Sequence, residues 1–202
     1  TLMLTRGALR YYVNPETDVP IILRVSGGTS ILNKKLLHEG ITVSIEDAIR
    51  LNVSAVAFSI MVGAEYERDT LLAFTNVVDQ AERYGIPTLA VTAVGKEMVR
   101  DTKYLSLASR IAAELGARMV KTYFCEGFEK VVESCPVPIV IAGGKKIPEK
   151  DALQMAYDAV QAGASGVDMG RNIFQADAPL AMVQAVRSIV QEDASAVAAF
   201  EL

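Results

Sequence analysis

The sequence is poor in the residues that bind metal ions or form covalent crosslinks. It has one histidine, His38, and two cysteines, Cys125 and Cys135. These three residues do not form a metal-ligand pattern, so we expect no bound metal. A disulfide between the cysteines is conceivable, but we expect two reduced thiols in a cytoplasmic protein. His38 lies in a polar segment and is expected at the surface.

The sequence also lacks long apolar runs and an excess of positive charge. No run approaches the roughly 20 apolar residues that cross a bilayer. The 24 acidic residues exceed the 20 basic ones, which gives a net charge of -4. We therefore expect neither a membrane nor nucleic acid as a partner. No signal peptide is visible, and the opening Thr-Leu-Met-Leu looks like the interior of an element. We expect an N-terminal segment to be missing, with a removed targeting signal as the alternative.

Short apolar segments rich in β-branched residues alternate with longer helical patterns. Such segments are typical of parallel strands buried on both faces. Two architectures fit, an open doubly wound sheet and a (β/α)8 TIM barrel. The open sheet would show a glycine-rich turn after its first strand, which Thr5-Arg6-Gly7 is not. We therefore predict one barrel domain over residues 1–202 that lacks its first strand. The predicted strands are Leu2–Thr5, Ile21–Ser26, Ala55–Ile60, Thr88–Ala93, Met119–Phe124, Ile139–Ala142 and Gly166–Met169.

Lys121 lies in the middle of one of these apolar strands. A lysine is almost never fully buried without a partner, because enclosing its charge is costly. An apolar site favours the neutral amine, which attacks carbonyl groups and forms Schiff bases. Lys121 is therefore a candidate covalent catalyst. The alternative is a lysine at a strand end whose ammonium extends into water.

Asp168 is a second charged residue inside an apolar strand. It could orient Lys121 or transfer a proton, which would make it a catalytic residue. Equally, it could be a structural carboxylate that pairs with Arg171 or with a backbone amide.

Glycine-rich turns follow three of the predicted strands. In a barrel, the last two such turns are the usual place for a phosphate group, held by loop amides. These turns contain Gly143, Gly144, Gly170 and Arg171, and an arginine adds charge-assisted hydrogen bonds. Ser26 and Gly27 begin a third turn, which either contributes to phosphate binding or is a plain flexible connection. Close packing of helices on strands is the alternative explanation for the glycines.

Three segments together resemble a known enzyme family. They are Val120-Lys121-Thr122-Tyr123, residues 138–144 and residues 166–175. They are similar to the class I aldolase family of the archaeal fructose-bisphosphate aldolase type, and within it to the LsrF group of thiolases. The resemblance covers almost the whole chain. It implies a (β/α)8 barrel, a Schiff-base lysine at Lys121 and phosphate loops at Gly143, Gly144, Gly170 and Arg171. It also implies a large homo-oligomer and no bound cofactor.

The resemblance implies one of two reactions. The first is thiolysis of 3-hydroxy-2,4-pentadione 5-phosphate, in which coenzyme A as co-substrate takes the acetyl group and dihydroxyacetone phosphate is released, as in autoinducer-2 breakdown. The second is aldol cleavage of fructose 1,6-bisphosphate or a related sugar. The sugar aldolases carry an acid-base tyrosine after the strand that matches Thr88–Ala93, and residues 91–95 contain none. That difference favours the thiolase. A phosphosugar-binding protein without catalysis is the third alternative.

Overall fold

The computed structural model describes residues 1–30, 32, 38–93 and 99–201, in which strands and helices alternate along the chain. The strands are β1 (Leu2–Thr5), β2 (Ile21–Arg24), β3 (Ser26–Gly27), β4 (Gly40–Ile41), β5 (Ala55–Ile60), β6 (Thr88–Thr92), β7 (Met119–Tyr123), β8 (Ile139–Ala142) and β9 (Gly166–Asp168). The helices are α1 (Arg6–Tyr12), α2 (Ile45–Arg50), α3 (Glu67–Glu82), α4 (Thr102–Glu114), α5 (Phe128–Glu133), α6 (Glu149–Gln161), α7 (Arg171–Phe174), α8 (Pro179–Glu192) and α9 (Ala196–Phe200).

One compact unit comprises Thr1–Val99 and Arg110–Val120. Its strands lie in the order β1-β2-β5-β6, and each neighbouring pair is parallel. The side chains of β5 are almost fully buried, as the apolar run Ala55–Ile60 predicts. Phe58 packs against Phe74 of α3, with ring centroids 6.1 Å apart. Because side chains alternate along a strand, Ala57 and Ser59 lie on the opposite face of the sheet.

A second compact unit comprises Arg100–Ser109 and Lys121–Leu202. In it, β7, β8 and β9 are successive neighbours, and β8 and β9 are parallel. The register places Ala142, the last residue of β8, opposite Asp168, the last residue of β9. Helices α6, α8 and α9 pack together in this unit and bury apolar residues such as Leu153 and Ile189. The loops that follow β8 and β9 therefore begin side by side.

The predicted strands agree with the structure except at some ends. The main difference is at Ile21–Ser26, which the sequence predicts as one strand. The strand ends at Arg24, and Ser26–Gly27 instead pairs antiparallel with Gly40–Ile41. The backbone beyond Arg24 bonds to the segment around β4, since the Thr42 N–H donates to the Val25 carbonyl at 2.8 Å, while the Ser26 hydroxyl accepts from the Ser59 backbone N–H at 3.0 Å. In the described part of the chain, no helix is long and apolar enough to cross a bilayer.

Gly116 lies at a tight contact just beyond the C-terminal end of α4. Its φ is +100°, a conformation that favours glycine. A Cβ at this position would lie 2.7 Å from Cγ1 of Val78, a buried residue of α3. Both the backbone conformation and the packing of α3 therefore require glycine here.

We predict that Gly116→Ala destabilises the protein by about 1–3 kcal/mol, the usual cost of overpacking a core. Urea unfolding of the full-length protein measures the change. Adding Val78→Ala should recover part of the loss, because it removes the clash but not the unfavourable φ. Gly7→Ala in α1 is the matched control, since a Cβ there meets nothing within 4 Å. Equal stability of Gly116→Ala and Gly7→Ala would contradict the prediction.

Candidate functional site

Lys121 and Asp168 form an ion pair between β7 and β9. The Lys121 Nζ lies 2.8 Å from Oδ2 of Asp168, and their side chains are only 12% and 26% exposed. Oδ2 is shielded from water, so the charges attract each other without competition from solvent at this atom. Lys121 is thus enclosed beside a carboxylate, not extended into water. Asp168 therefore contacts Lys121, as orienting that lysine would require, and its catalytic role stays a prediction.

The alternation of side chains along β7 explains why Lys121 reaches Asp168. Val120 and Thr122 are fully buried and point to one face of the strand. Met119, Lys121 and Tyr123 are partly accessible and point to the other face. The apolar strand therefore holds the lysine in place while presenting its amine to the face that carries Asp168.

The two glycines after β8 have different structural roles. A Cβ on Gly143 would lie 2.9 Å from both Asn172 Nδ2 and Met169 Cγ, so this position requires glycine for packing. Gly144 has a φ of +66°, and a Cβ there would meet nothing within 4 Å. Gly144 therefore borders open space, as a residue that contacts a ligand must. Close packing explains Gly143, and the phosphate hypothesis fits Gly144.

Asn172 joins the two predicted phosphate loops and was not predicted from the sequence. Its side chain is almost completely buried. Nδ2 donates to the carbonyl of Gly143 at 2.7 Å, and Oδ1 accepts from the Ile147 N–H at 3.0 Å. The Lys146 ammonium also donates to the carbonyl of Gln175, at the end of α7. The loop after β8 is thus fixed to the turn after β9. The only sequence signal was a polar amide directly after the Gly-Arg pair.

Gly170 and Arg171 lie in the turn that follows β9. Both residues are exposed, and Arg171 is the first residue of α7. Gly170 comes two residues after Asp168, so the turn begins next to the ion pair. Within one unit, Asp168, Gly144 and Arg171 therefore lie at or just beyond the carboxyl ends of β8 and β9, and Lys121 reaches Asp168 from the middle of β7.

The remaining predicted phosphate residues, Ser26 and Gly27, lie in the other unit. The Ser26 hydroxyl donates to Oε2 of Glu39 at 2.6 Å, and Glu39 also accepts from Arg24 at 2.5 Å. A hydroxyl that already faces a carboxylate is poorly suited to an anion. Any phosphate contact at this turn would come from backbone amides, and the role of Ser26 and Gly27 stays a prediction. The Arg24–Glu39 pair was not predicted, because the two residues are separated by a loop.

The thiol of Cys125 lies just beyond β7 and is not activated. Burial raises its pKa, a hydrogen bond with Thr102 opposes the shift, and nearby Asp101, Glu129 and Glu126 raise the pKa further. Burial also raises the pKa of Cys135. Both cysteines are free thiols, as expected, and both stay protonated at neutral pH.

We predict that Asn172→Ala destabilises the protein by about 1–3 kcal/mol, because it leaves a buried carbonyl and a buried N–H without partners. Urea unfolding measures the loss, and calorimetry with inorganic phosphate should show weaker binding. Asn172→Asp should also be damaging, because it places an oxygen against the Gly143 carbonyl.

The matched control for these variants is Asn76→Ala, which removes an exposed amide on α3. It should stay within about 0.5 kcal/mol of the unmodified protein. If Asn172→Ala behaves like Asn76→Ala in both measurements, Asn172 does not hold the two loops.

Comparison with known proteins identifies relatives of this chain. The sequence profile described as "DeoC/LacD family aldolase" matches residues 2–176. A protein from Enterobacter sp. (strain 638), named 3-hydroxy-5-phosphonooxypentane-2,4-dione thiolase, is 61% identical over 99% of this chain and 68% of its own length. A protein of the same name from Photorhabdus laumondii is 56% identical over 100% of this chain and 69% of its own length.

Solved structures of archaeal fructose 1,6-bisphosphate aldolases are similar to this chain. One has a TM-score of 0.85 and 28% identity, over 93% of this chain and 77% of its own. Another, with a TM-score of 0.84 and the same identity and coverage, holds its catalytic lysine covalently bound to the carbinolamine intermediate of the substrate. These matches confirm the predicted aldolase barrel fold.

Proposed function

Because the chain belongs to the DeoC/LacD family of aldolases, we propose that it is a Schiff-base thiolase that cleaves 3-hydroxy-2,4-pentadione 5-phosphate with coenzyme A. The observation that carries the proposal is the enclosed pair of Lys121 and Asp168, with an open glycine, Gly144, in the loop after β8 and an exposed arginine, Arg171, in the turn after β9. The names of relatives at 55–61% identity support this substrate.

The reaction begins with attack of the Lys121 amine on the ketone next to the phosphorylated carbon. The amine must be neutral to attack, and the carboxylate of Asp168, 2.8 Å away, is placed to accept the proton that the ammonium releases. Loss of water from the resulting carbinolamine gives an iminium ion. The positive nitrogen then accepts the electron pair of the bond to be broken.

The second stage transfers the acetyl group. The thiol of coenzyme A loses its proton and adds to the acetyl carbonyl carbon. The tetrahedral adduct collapses, the C–C bond breaks, and its electrons move into the iminium to give an enamine. The enamine takes up a proton at carbon, which replaces the proton lost by the thiol and restores an iminium ion. Water adds to this iminium and releases dihydroxyacetone phosphate and free Lys121. The products are acetyl-CoA and dihydroxyacetone phosphate, so atoms and charges balance.

The phosphate of the dione is proposed to bind at Gly143, Gly144, Gly170 and Arg171. The register supports this assignment, since Gly143 directly follows Ala142, the partner of Asp168 in the sheet. The phosphorylated carbon is adjacent to the ketone that Lys121 attacks, so amine and phosphate loops must be close. Asn172 supports the assignment further, because it fixes one loop relative to the other.

Aldol cleavage of fructose 1,6-bisphosphate is the second candidate, favoured by the solved aldolases at 28% identity. It would use the same lysine and the same enamine. Aldol cleavage also needs a base for the sugar hydroxyl, and Thr88–Thr92 contains no tyrosine. Residues 94–98 lie outside the described residues. The absence of that tyrosine supports the thiolase over the aldolase.

We also propose that the protein is cytoplasmic, acts in autoinducer-2 breakdown and forms a homo-oligomer. The homo-oligomer is supported by exposed apolar side chains on the two C-terminal helices, among them Leu180, Val183 and Val197. A single barrel domain also remains our proposal.

The test compares the full-length protein with Lys121→Met. Acetyl-CoA formation from the phosphorylated dione should fall by roughly 10³-fold or more, because the variant lacks the nucleophile. Lys130→Met removes an exposed lysine on α5 and is the matched control, with unchanged turnover expected. The thiolase proposal fails if the unmodified protein makes no acetyl-CoA. Cleavage of fructose 1,6-bisphosphate without coenzyme A would support the aldolase instead.

A further inference from the structure

A second cationic feature lies at the end of the strand that carries Lys121. The guanidinium of Arg100 is stacked over the ring of Tyr123, with Cζ 3.7 Å from the ring centroid. Tyr123 is the last residue of β7, and Arg100 lies two residues before α4. A guanidinium within about 6 Å of an aromatic face is attracted to it, so the ring fixes the position of the charge.

The stacked arginine lies on the Lys121 face of the strand. Side chains two residues apart point to the same face, and each residue of a strand rises by about 3.3 Å. Tyr123 is therefore about 6.6 Å from Lys121 along β7, toward the carboxyl end of the strand. A ligand that approaches the amine from that end meets the Tyr123 ring and the Arg100 charge.

The guanidinium of Arg100 remains available for an anion. Stacking engages only the flat face of the group, which leaves its N–H bonds in the plane to donate to oxygen atoms. Among the described residues, no carboxylate forms an ion pair with Arg100. The neighbouring carboxylate of Asp101 accepts instead from the Tyr104 N–H at 2.8 Å, at the start of α4.

The single phosphate of the dione does not require this second cation. In the proposed function, that phosphate binds at Gly144 and Arg171, in the loops after β8 and β9. A further fixed cation on the same face of the sheet indicates a second anionic group. In a thiolase, the other reactant is coenzyme A, which carries its phosphates well away from the reacting sulfur.

We propose that Arg100, held on the ring of Tyr123, binds a phosphate group of coenzyme A. This inference rests on the proposed thiolase function. Arg100 is a binding residue and does not touch the reacting carbon or sulfur. The same phosphate chemistry would come from the far phosphate of a sugar bisphosphate if the protein were an aldolase, and the experiment separates the two sources.

The experiment measures KM for coenzyme A and for pantetheine, which lacks the phosphates. Arg100→Gln should raise KM for coenzyme A about tenfold, the effect of losing one hydrogen bond to a charged group. It should leave KM for pantetheine unchanged, because that thiol has no phosphate to lose. Tyr123→Leu should raise KM for coenzyme A by a smaller factor, since the arginine remains but loses its support. Arg187→Gln removes an exposed arginine on α8 and is the matched control.

Two results would overturn the assignment. In the first, Arg100→Gln raises KM for pantetheine as much as KM for coenzyme A. In the second, Arg100→Gln leaves KM for coenzyme A unchanged. A rise in KM for fructose 1,6-bisphosphate, but not for fructose 1-phosphate, would assign Arg100 to a sugar phosphate. Calorimetry of coenzyme A binding to Arg100→Gln and to the unmodified protein gives the same comparison without turnover. If the unmodified protein forms no acetyl-CoA, the thiolase proposal fails. If acetyl-CoA forms but Arg100→Gln leaves KM for coenzyme A unchanged, only the Arg100 assignment fails.

Discussion

The ion pair between Lys121 and Asp168 is the interaction on which the rest of the site depends. Each charge alone would be costly in this enclosed position, and removal of one partner from a fully buried pair costs about 3–5 kcal/mol. The two side chains retain slight contact with water, so the cost here is lower. Apolar β7 fixes the lysine, and the pairing of β8 with β9 fixes the aspartate. The sheet thus places Lys121, the proposed nucleophile, beside Asp168, its proposed proton acceptor.

The loops around this pair are held by packing and buried hydrogen bonds. Gly143 allows Asn172 and Met169 to approach its backbone, and Asn172 in turn bonds to both ends of the loop after β8. These hydrogen bonds provide partners for the Gly143 carbonyl and the Ile147 N–H, which would destabilise the fold if they were buried without partners. This arrangement also leaves Gly144 facing open space. Gly143 is held by close packing, whereas Gly144 borders open space, and this combination fits a preformed site for a phosphate group.

The sequence predicted the parts of the structure that depend on local patterns. Ala55–Ile60 and Ile139–Ala142 were located correctly, because continuous apolar runs between polar segments indicate buried strands. Lys121 and Asp168 were identified as candidates because a charged side chain inside an apolar strand is costly to bury without a partner. The contacts of Asn172, the Arg24–Glu39 pair and the Arg100–Tyr123 stack were not predicted. Each joins polar residues across a loop or between elements, and such contacts leave no periodic signal in the sequence.

The most direct test of the central claim is borohydride reduction of the full-length protein mixed with dihydroxyacetone phosphate, followed by peptide mass mapping. Reduction converts an iminium into a stable amine, so the modified lysine is identified by its mass. A single adduct on Lys121 is the result that the structure predicts. An adduct on Lys145 or Lys146 in the phosphate loop, or no adduct while the phosphate compound still binds, would contradict the assignment of Lys121 as the Schiff-base residue.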